Sequence, residues 1–275
     1  MATVIVPAYN ESKVIRRCLD SLLQQDGVDA IIVACNGCHD NTAQIVEQEY
    51  PTVTCLDLKT PSKVNALNEA EKFVKRWPVV YLDADLQLWP GAVEHALRGM
   101  KNAGYLLVSP TPIMDTSSSS WIVKQYYKTH RQLSYVDEGV IGTGTFILDK
   151  EGRARFGTFP QVINDDHFVR SQFEEYELAN IPESKVTVTA PRNAWSLIKI
   201  LTRSNLGNIE IDAKRLRIDK EKPAYSRIFL SRLLSRDFLS TAVYLALVIT
   251  AKTRAKRQFR SLHKYQWEVD SSSRV

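Results

Sequence analysis

The sequence predicts an α/β fold in which helices flank a mostly parallel sheet. Over residues 1–110, short apolar runs alternate with stretches of helical periodicity, and turn residues separate them. Strands that alternate with helices in this way pair in parallel through right-handed crossovers. With 275 residues, of which 44% are hydrophobic and 24% charged, the chain can bury a core of that size.

The first half of the chain divides into five strands and four helices. The predicted strands have the sequences TVIVP, AIIVA, VTCLD, VVYLDAD and YLLVSP. The first helix is predicted to start at Asn10 as its N-cap. The later helices are predicted over 41–49, over 63–76 with Ser62 as the cap, and over 90–102.

The second half is less regular. A helix is predicted over 120–135, and a strand that contains glycines over 139–148. We find no internal repeat and no long Pro- or Ser-rich linker, so both halves are expected to share one core. We therefore divide the chain into a first half (1–110), a second half of the same domain (111–220) and a C-terminal extension of helices (221–275).

The positive charge of the chain lies in this C-terminal extension. Residues 221–275 contain eleven Lys or Arg and four Asp or Glu; the chain carries +5, so the other 220 residues sum to −2. The apolar run 238–251 is shorter than the roughly 20 residues that span a bilayer as a helix, and cations follow it. These features predict peripheral contact with an anionic membrane surface. A buried helix with a solvated basic face fits them equally well.

The N-terminal sequence and the cysteines indicate a reducing compartment. The segment MATVIVPAYNESK has no basic stretch followed by an apolar signal core. Four clustered cysteines are too few for a disulfide scaffold, and we interpret them as free thiols. We expect a cytoplasmic protein, with the inner face of the cell membrane as the place where the extension would dock.

Asp83 and Asp85 end the fourth predicted strand. Ligands of an open parallel sheet bind beyond the carboxyl ends of its strands, and side chains two apart in an extended chain point the same way. Two carboxylates facing one ligand favour a cation, and magnesium is usually held by one or two carboxylates plus substrate phosphates. The pair predicts a site for a divalent cation bound to a diphosphate. A solvated pair in a loop is the alternative.

The first strand leads to PAYNE (7–11) at the same edge of the sheet. This segment would place Asn10 and Glu11 at a helix N-terminus, where backbone N–H groups and the helix dipole favour an anion or a base edge. The chain lacks G-x-G-x-x-G and a P-loop, which argues against a dinucleotide cofactor and against an ATPase.

Several segments, in this order, resemble the motifs of the family 2 inverting glycosyltransferases, which have the GT-A fold. They are VIVPAYNESKVIRRCLDSL, IIVACNGCHDNT, SKVNALNEA, YLDADLQL, GTGTFIL and RFGTFPQVINDDHFVR. The resemblance covers residues 3 to about 210. It implies a Rossmann-like GT-A sheet and a nucleotide-sugar donor, for which a UDP-sugar is the first choice.

The resemblance also implies which residues bind the donor. The nucleoside would lie against Pro7, Ala8, Tyr9 and Glu11, and Asn36 would touch the base. Cys35 and Asn36 depart from the family, since members often carry Asp-Asp there. Toward the diphosphate, the residues implied are Lys63 beside the phosphates, Asp83 on the ribose or the metal, Asp85 on Mg²⁺ or Mn²⁺, and Arg203 as a further cation.

Inverting transfer needs a base that takes the proton from the acceptor hydroxyl. The segment NDD at 164–166 resembles the family triplet whose final aspartate is that base. The resemblance therefore makes Asp166 the base and gives Asp165 the role of orienting it or the acceptor. Two adjacent carboxylates would also raise one pKa. Asp165 as a simple helix cap is the alternative, and Arg192 competes with Arg203 for the cationic role.

Together these features predict a metal-dependent, inverting glycosyltransferase of the hexosyltransferase type. It would transfer a sugar to a glycan or a lipid-linked acceptor in polysaccharide or glycolipid synthesis. A nucleotidyltransferase of the same fold is one alternative, although PAYNES lacks the glycines that a triphosphate-binding loop needs. A non-catalytic binding subunit of a glycan-synthesis complex is the other. No nucleic acid is expected, because no aromatic-rich RNA-binding motif accompanies the basic extension.

Overall fold

The computed structural model describes residues 1–133, 144–216 and 237–262. Within these residues the chain forms eight strands and nine α-helices. The strands are β1 (Ala2–Ala8), β2 (Val28–Asn36), β3 (Thr54–Leu58), β4 (Val79–Leu82), β5 (Gln87–Leu88), β6 (Leu107–Asp115), β7 (Thr145–Leu148) and β8 (Leu178–Thr189). The helices are α1 (Ile15–Leu23), α2 (Thr42–Glu49), α3 (Lys63–Glu71), α4 (Ala92–Ala103), α5 (Trp121–His130), α6 (Lys150–Arg153), α7 (Asp165–Arg170), α8 (Ala194–Ala213) and α9 (Phe238–Phe259).

All eight strands join one sheet in the order β3-β2-β1-β4-β7-β6-β8-β5. The four strands from β3 to β4 are parallel, and β7 runs antiparallel between β4 and β6. The predicted mostly parallel sheet with flanking helices is confirmed, and two antiparallel strands, β7 and the short edge strand β5, are additions. Because β7 lies beside β4, the second half of the chain reaches the carboxyl ends of the parallel strands.

Helices cover both faces of this sheet. Along β1, Val4 and Val6 pack on the side of α1, α2 and α4, whereas Ile5 packs on the side of α3 and α7. Every residue of β1 is buried. A strand buried on both faces must be apolar at successive positions, which explains the continuous apolar run that identified it.

The start of the first helix was predicted wrongly. Helix α1 begins at Ile15, and Asn10 has a left-handed φ of 55° instead of capping it. The backbone N–H groups of Val14 and Ile15 both donate to the carbonyl of Glu11, so a turn separates Asn10 from the helix. In contrast, Ser62 caps α3 as predicted, since its hydroxyl accepts a hydrogen bond from Asn65 N. Part of the predicted strand 139–148, residues 139–143, lies outside the described residues.

Helices α5, α8 and α9 form a separate helical layer with its own apolar cluster. The ring of Tyr126 on α5 stacks on Tyr244 of α9, with centroids 5.0 Å apart. Helix α9 has 22 residues, so it is longer than the apolar run seen in the sequence, and its length and composition would allow it to cross a membrane. One side of it packs against α5 and α8, however, through residues that include Leu247 and Ala251.

A buried ion pair joins α3 to α6. The guanidinium of Arg153 donates two hydrogen bonds to the carboxylate of Glu71, both 2.6 Å long, and the hydroxyl of Tyr81 donates to the same carboxylate. Both charged side chains are only 14% exposed. The guanidinium also lies 4.4 Å from the centroid of the Phe156 ring. This cluster connects the sheet to the segment that leads into α7.

Replacing Arg153 with Met should lower the free energy of unfolding by roughly 3 kcal/mol, because it leaves the carboxylate of Glu71 buried without its cation. Urea unfolding monitored by circular dichroism measures this change. Arg98→Met is the matched control, since its partner Glu94 and Arg98 itself are 53% and 55% exposed, and such exposed helical pairs contribute roughly 0.3–0.5 kcal/mol. Equal losses in the two variants would contradict the structural role of the buried pair.

Candidate active site

A small pocket opens at the carboxyl ends of β1 and β4, next to the start of β7. Five of the residues predicted to form the site line it: Pro7, Lys63, Asp83, Asp165 and Asp166. The rest of the wall consists of Leu67, Tyr81, Leu82, Gly144 and Phe146. The pocket is therefore apolar at its base, with one cation and three carboxylates.

Lys63 occupies the centre of the charged group. Its Nζ lies 2.8 Å from Oδ1 of Asp83 and 3.1 Å from Oδ2 of Asp165. Lys63 is the first residue of α3, directly after the Ser62 cap, which directs its side chain toward the end of β4. Burial alone would lower the pKa of Lys63, but the charges of Asp165 and Asp83 outweigh it and hold that pKa well above its usual value. Lys63 therefore carries its charge at any physiological pH.

Asp165 and Asp166 are the first two residues of α7. Burial raises the pKa of Asp165 to about 6; the charge of Lys63 opposes this shift and that of Asp166 adds to it. Burial also raises the pKa of Asp166, against the opposing effects of Lys63, the His167 N–H at 2.7 Å and Arg203. Both carboxyl groups therefore bind a proton more readily than an exposed aspartate does. Asn164, not Asp165, is the N-cap residue, so the alternative of Asp165 as a cap was wrong.

Helix α8 holds the segment before α7 in place. Glu210 on α8 accepts a 2.8 Å hydrogen bond from the backbone N–H of Ile163. The side chain of Asn164 donates to the carbonyl of Ser204 at 2.7 Å and fits over Gly207, where a Cβ would lie 2.4 Å from its Cγ. Sequence reasoning missed these residues of α8, because they lie 40 or more positions from the residues that they contact and no local spacing connects them.

The backbone N–H groups of residues 10–12 already have hydrogen-bond partners within the protein. The backbone N–H of Asn10 donates to the thiol of Cys38 at 3.4 Å, and that of Glu11 donates to Thr42 Oγ1 at 2.8 Å. The N–H of Ser12 donates to Asp40 at 3.0 Å. The prediction that Asn10 and Glu11 lie at a helix N-terminus was therefore wrong, since α1 begins at Ile15. These bonds instead fix the segment to the turn before α2.

The remaining residues predicted to bind the donor lie around the pocket without lining it. Asn36 is buried at the end of β2, and its amide donates to the carbonyl of Ala8 at 3.0 Å, so it ties the ends of β1 and β2 together. Tyr9 is half-buried after β1, and Glu11 is buried. Arg203 on α8 lies near enough to Asp166 to lower its pKa.

The two carboxylates after β4 do not follow the extended geometry that the sequence suggested. The strand ends at Leu82, and the N–H of Leu86 donates to the carbonyl of Asp83 at 3.2 Å to close a turn. Asp83 faces the pocket, whereas Asp85 is not among its lining residues. Both nonetheless lie near Cys18, whose thiol is 4.0 Å from the carbonyl oxygen of Asp83. Burial raises the pKa of this thiol, and the charges of Asp85 and Asp83 raise it further.

Asp83 and Asp85 could bind a hard dication only if a bound ligand supplied further oxygen atoms. Among the residues that the structure describes, no group of three or more His, Cys, Asp or Glu could hold a metal ion. Asp83 and Asp85 offer carboxylate oxygens, which Mg²⁺ and Mn²⁺ prefer, and magnesium commonly takes its other ligands from phosphates and water. The carboxylate oxygens of these two residues fit, in their chemistry, a cation that arrives with a diphosphate, and Asp83 is the one that lines the pocket.

Comparison with known proteins places the chain in a family. The family model described as "Glycosyl transferase family 2" matches residues 3–152. The chain belongs to glycosyl transferase family 2. The matched region includes Lys63, Asp83 and Asp85, while Asp165, Asp166 and Arg203 lie beyond it. The predicted family is confirmed.

Two curated relatives are polysaccharide synthases. The chain is 35% identical over 102 residues to the chondroitin synthase of Pasteurella multocida (strain Pm70), a match that covers 36% of this chain and 11% of that protein. It is 34% identical over 101 residues to the chondroitin synthase of Escherichia coli, covering 35% of this chain and 15% of that protein. The matched segment thus spans a small part of each relative.

Two solved structures share the fold. The mannosyltransferase PcManGT from Pyrobaculum calidifontis, in complex with GDP-Man and Mn²⁺, has a TM-score of 0.63 at 20% identity, and the match covers 96% of this chain and 81% of that one. S. aureus TarS 1-349 in complex with UDP has a TM-score of 0.54 at 14% identity, covering 98% and 94%. The predicted GT-A fold is confirmed.

No residue with a Cβ fits at position 144 in the pocket wall without strain. The φ of Gly144 is +76°, and a Cβ there would lie 2.5 Å from Asp83 Oδ2. Gly144→Ala should cost at least roughly 1–2 kcal/mol in unfolding free energy from the left-handed backbone alone, and it should displace Asp83 as well. Gly157→Ala is the control, since no atom lies within 4 Å of a Cβ there. Chemical unfolding measures both, and equal stabilities would contradict the close contact.

Proposed function

We propose that the chain is a glycosyltransferase that moves a sugar from a nucleotide-diphosphate donor to an acceptor hydroxyl, with inversion, in polysaccharide or glycolipid synthesis. One observation carries the proposal: Lys63, Asp83, Asp165 and Asp166 converge at the carboxyl ends of the parallel strands, in a chain of glycosyl transferase family 2. The similarity of the chain to the chondroitin synthases of Pasteurella multocida and Escherichia coli supports polysaccharide synthesis.

The donor is proposed to enter along β1 and to place its diphosphate beside Lys63. Two structural neighbours carry UDP and GDP-Man, which supports a nucleotide-sugar donor of either base; we retain a UDP-sugar as the first choice. Asp83 and Asp85 would hold Mg²⁺ or Mn²⁺, as the Mn²⁺ of one neighbour supports. A dication bound there supplies positive charge that stabilises the departing diphosphate. The cationic side chain of Lys63, 2.8 Å from Asp83, acts at the same place.

Asp166 is proposed as the base that accepts the proton of the attacking hydroxyl. A base works best when its pKa lies near the operating pH, and burial has moved the pKa of this carboxyl and that of Asp165 in that direction. The two carboxyl groups titrate as a pair, so Asp165 would share the proton with Asp166. The ion pair with Lys63 would hold the side chain of Asp165 in place. For inversion, the acceptor must attack from the side of Asp166, opposite the departing nucleotide.

The acceptor and the location of the protein are also proposals. A glycan or a lipid-linked sugar would bind on the side of the pocket formed by α7 and α8. A cytoplasmic location at the inner face of the cell membrane remains a prediction from the sequence. So does membrane contact through residues 221–275, of which the structure describes 237–262.

The proposed function is tested by a screen of the full chain with UDP-, GDP- and dTDP-sugars, with Mg²⁺, with Mn²⁺ and with a chelator. We expect release of one nucleotide that depends on the metal. Asp166→Asn should lower this release by roughly 100-fold or more because it removes the base, while nucleotide binding measured by calorimetry is kept. Asp83→Asn should weaken nucleotide binding itself.

Asp26→Asn is the control for these variants, because Asp26 is exposed in the turn before β2, at the opposite end of the sheet from the pocket. It should behave like the unchanged chain. No binding and no release with any donor would overturn the enzymatic proposal and favour a non-catalytic subunit. Full release by Asp166→Asn would overturn the assignment of the base.

A further inference from the structure

The helical layer of α5, α8 and α9 exposes an unusual number of large apolar side chains. Among the described residues, twelve large hydrophobic side chains are exposed, and six of them belong to these three helices. They are Trp121 and Ile122 on α5, Trp195 on α8, and Phe238, Leu239 and Ile249 on α9. Trp121 and Trp195 are 54% and 55% exposed.

The contacts within this layer bring the two tryptophans to one end of it. The starts of α5 and α8 are joined, because Ser120 N donates to the carbonyl of Arg192 at 2.8 Å. Helix α9 runs antiparallel to both: Lys128 at the end of α5 pairs with Asp237 before α9 at 2.9 Å. Near the other end of α9, the guanidinium of Arg254 lies 5.2 Å from the Trp195 ring centroid. The basic second half of α9 therefore adjoins the tryptophans.

The same layer carries the positive charge of the molecule. Its three segments, 116–133, 191–213 and 238–262, contain eleven Lys or Arg against two carboxylates, Glu210 and Asp212, which lie at the end of α8. The other residues that the structure describes carry 17 Lys or Arg against 23 Asp or Glu. The rest of the described protein is thus net acidic, and this layer would attract an anionic partner.

The exposed side of helix α9 is apolar in its first part and cationic in its second part. Its buried stripe packs on α5 and α8, and its exposed stripe is apolar at Phe238, Leu239 and Ile249. The exposed stripe then becomes cationic at Lys252, Lys256, Arg257 and Arg260. The uncharged part, 238–251, is about 21 Å long at 1.5 Å per residue, which is short of the roughly 30 Å hydrocarbon core. A crossing helix would bury cations in lipid, whereas a helix lying on the surface would not.

We propose that this layer docks on the surface of an anionic phospholipid bilayer. We call it the basic-aromatic face, defined by Trp121, Ile122, Trp195, Ile249, Lys256 and Arg257. Tryptophan rings favour the headgroup level of a bilayer, aliphatic side chains enter the acyl boundary, and cations attract anionic headgroups. A nucleic acid or an acidic glycan would engage the cations but would leave the isoleucines exposed to water, so the apolar part of the face favours lipid.

The proposal does not depend on sugar transfer, and its test measures binding only. The full chain is sedimented with vesicles of phosphatidylcholine alone and of phosphatidylcholine mixed with phosphatidylglycerol, at low and at high salt. We expect binding to the anionic vesicles alone, weakened by salt. Single-stranded DNA and heparin serve as soluble polyanions in a parallel experiment.

Two double variants examine the two components of the face. Trp121→Ala with Trp195→Ala, and Lys256→Glu with Arg257→Glu, should each weaken vesicle binding by roughly tenfold or more. Tyr176→Ala, and Lys75→Glu with Lys101→Glu, are the matched controls: these exposed residues lie outside the face, and the variants should bind like the unchanged chain. Circular dichroism of each variant shows whether the fold is kept.

A spectroscopic measurement locates the contact without relying on affinity. Vesicles containing brominated lipid should quench the tryptophan fluorescence of the full chain, and the double tryptophan variant should lose that quenching while Trp89→Ala keeps it. The proposal is overturned if anionic vesicles do not bind the chain, if both double variants bind as well as the controls, or if the soluble polyanions bind and the vesicles do not.

Discussion

The active-site pocket depends on one ammonium group held between carboxylates from distant parts of the chain. Nζ of Lys63 lies 2.8 Å from Asp83 and 3.1 Å from Asp165, which come from the end of β4 and the start of α7. Without this cation, the charges of Asp83, Asp165 and Asp166 would repel one another at a site where Asp165 is buried and the other two are partly exposed. The ammonium thus allows the carboxylates at the end of β4 and at the start of α7 to lie close together.

The rest of the fold serves to hold these charged groups in place. Lys63 begins α3, and the buried pair of Glu71 and Arg153 ties the other end of that helix to α6. On the opposite side, Glu210 of α8 holds the backbone just before α7. Gly144 allows β7 to approach Asp83 closely. Because each charged side chain is fixed by a different element, the pocket can keep a strongly coupled set of charges in one arrangement.

The parts that were predictable from the sequence are those that follow from local patterns. Strands buried on both faces must be apolar throughout, so β1, β2 and β4 could be predicted from their apolar runs. Ser62 was recognised as a helix cap, which correctly placed Lys63 at the start of α3. The turn that separates Asp83 from Asp85 was not predicted, because it depends on a backbone hydrogen bond from Leu86 and not on composition. The role of Glu210 could not be predicted either, because its hydrogen-bond partner, the backbone N–H of Ile163, is 47 residues away in the sequence.

The central claim is that the charge of Lys63 controls the carboxyl pair on α7, and carboxyl titration by NMR of a chain labelled with ¹³C at aspartate tests it most directly. In the unchanged chain, one carboxyl of the pair should titrate at a pKa of about 6. Lys63→Met should move that pKa upward, since burial and the neighbouring charge of Asp166 then act without the opposing cation, while Lys63→Arg should change it less. An equal or lower pKa in Lys63→Met would contradict the account.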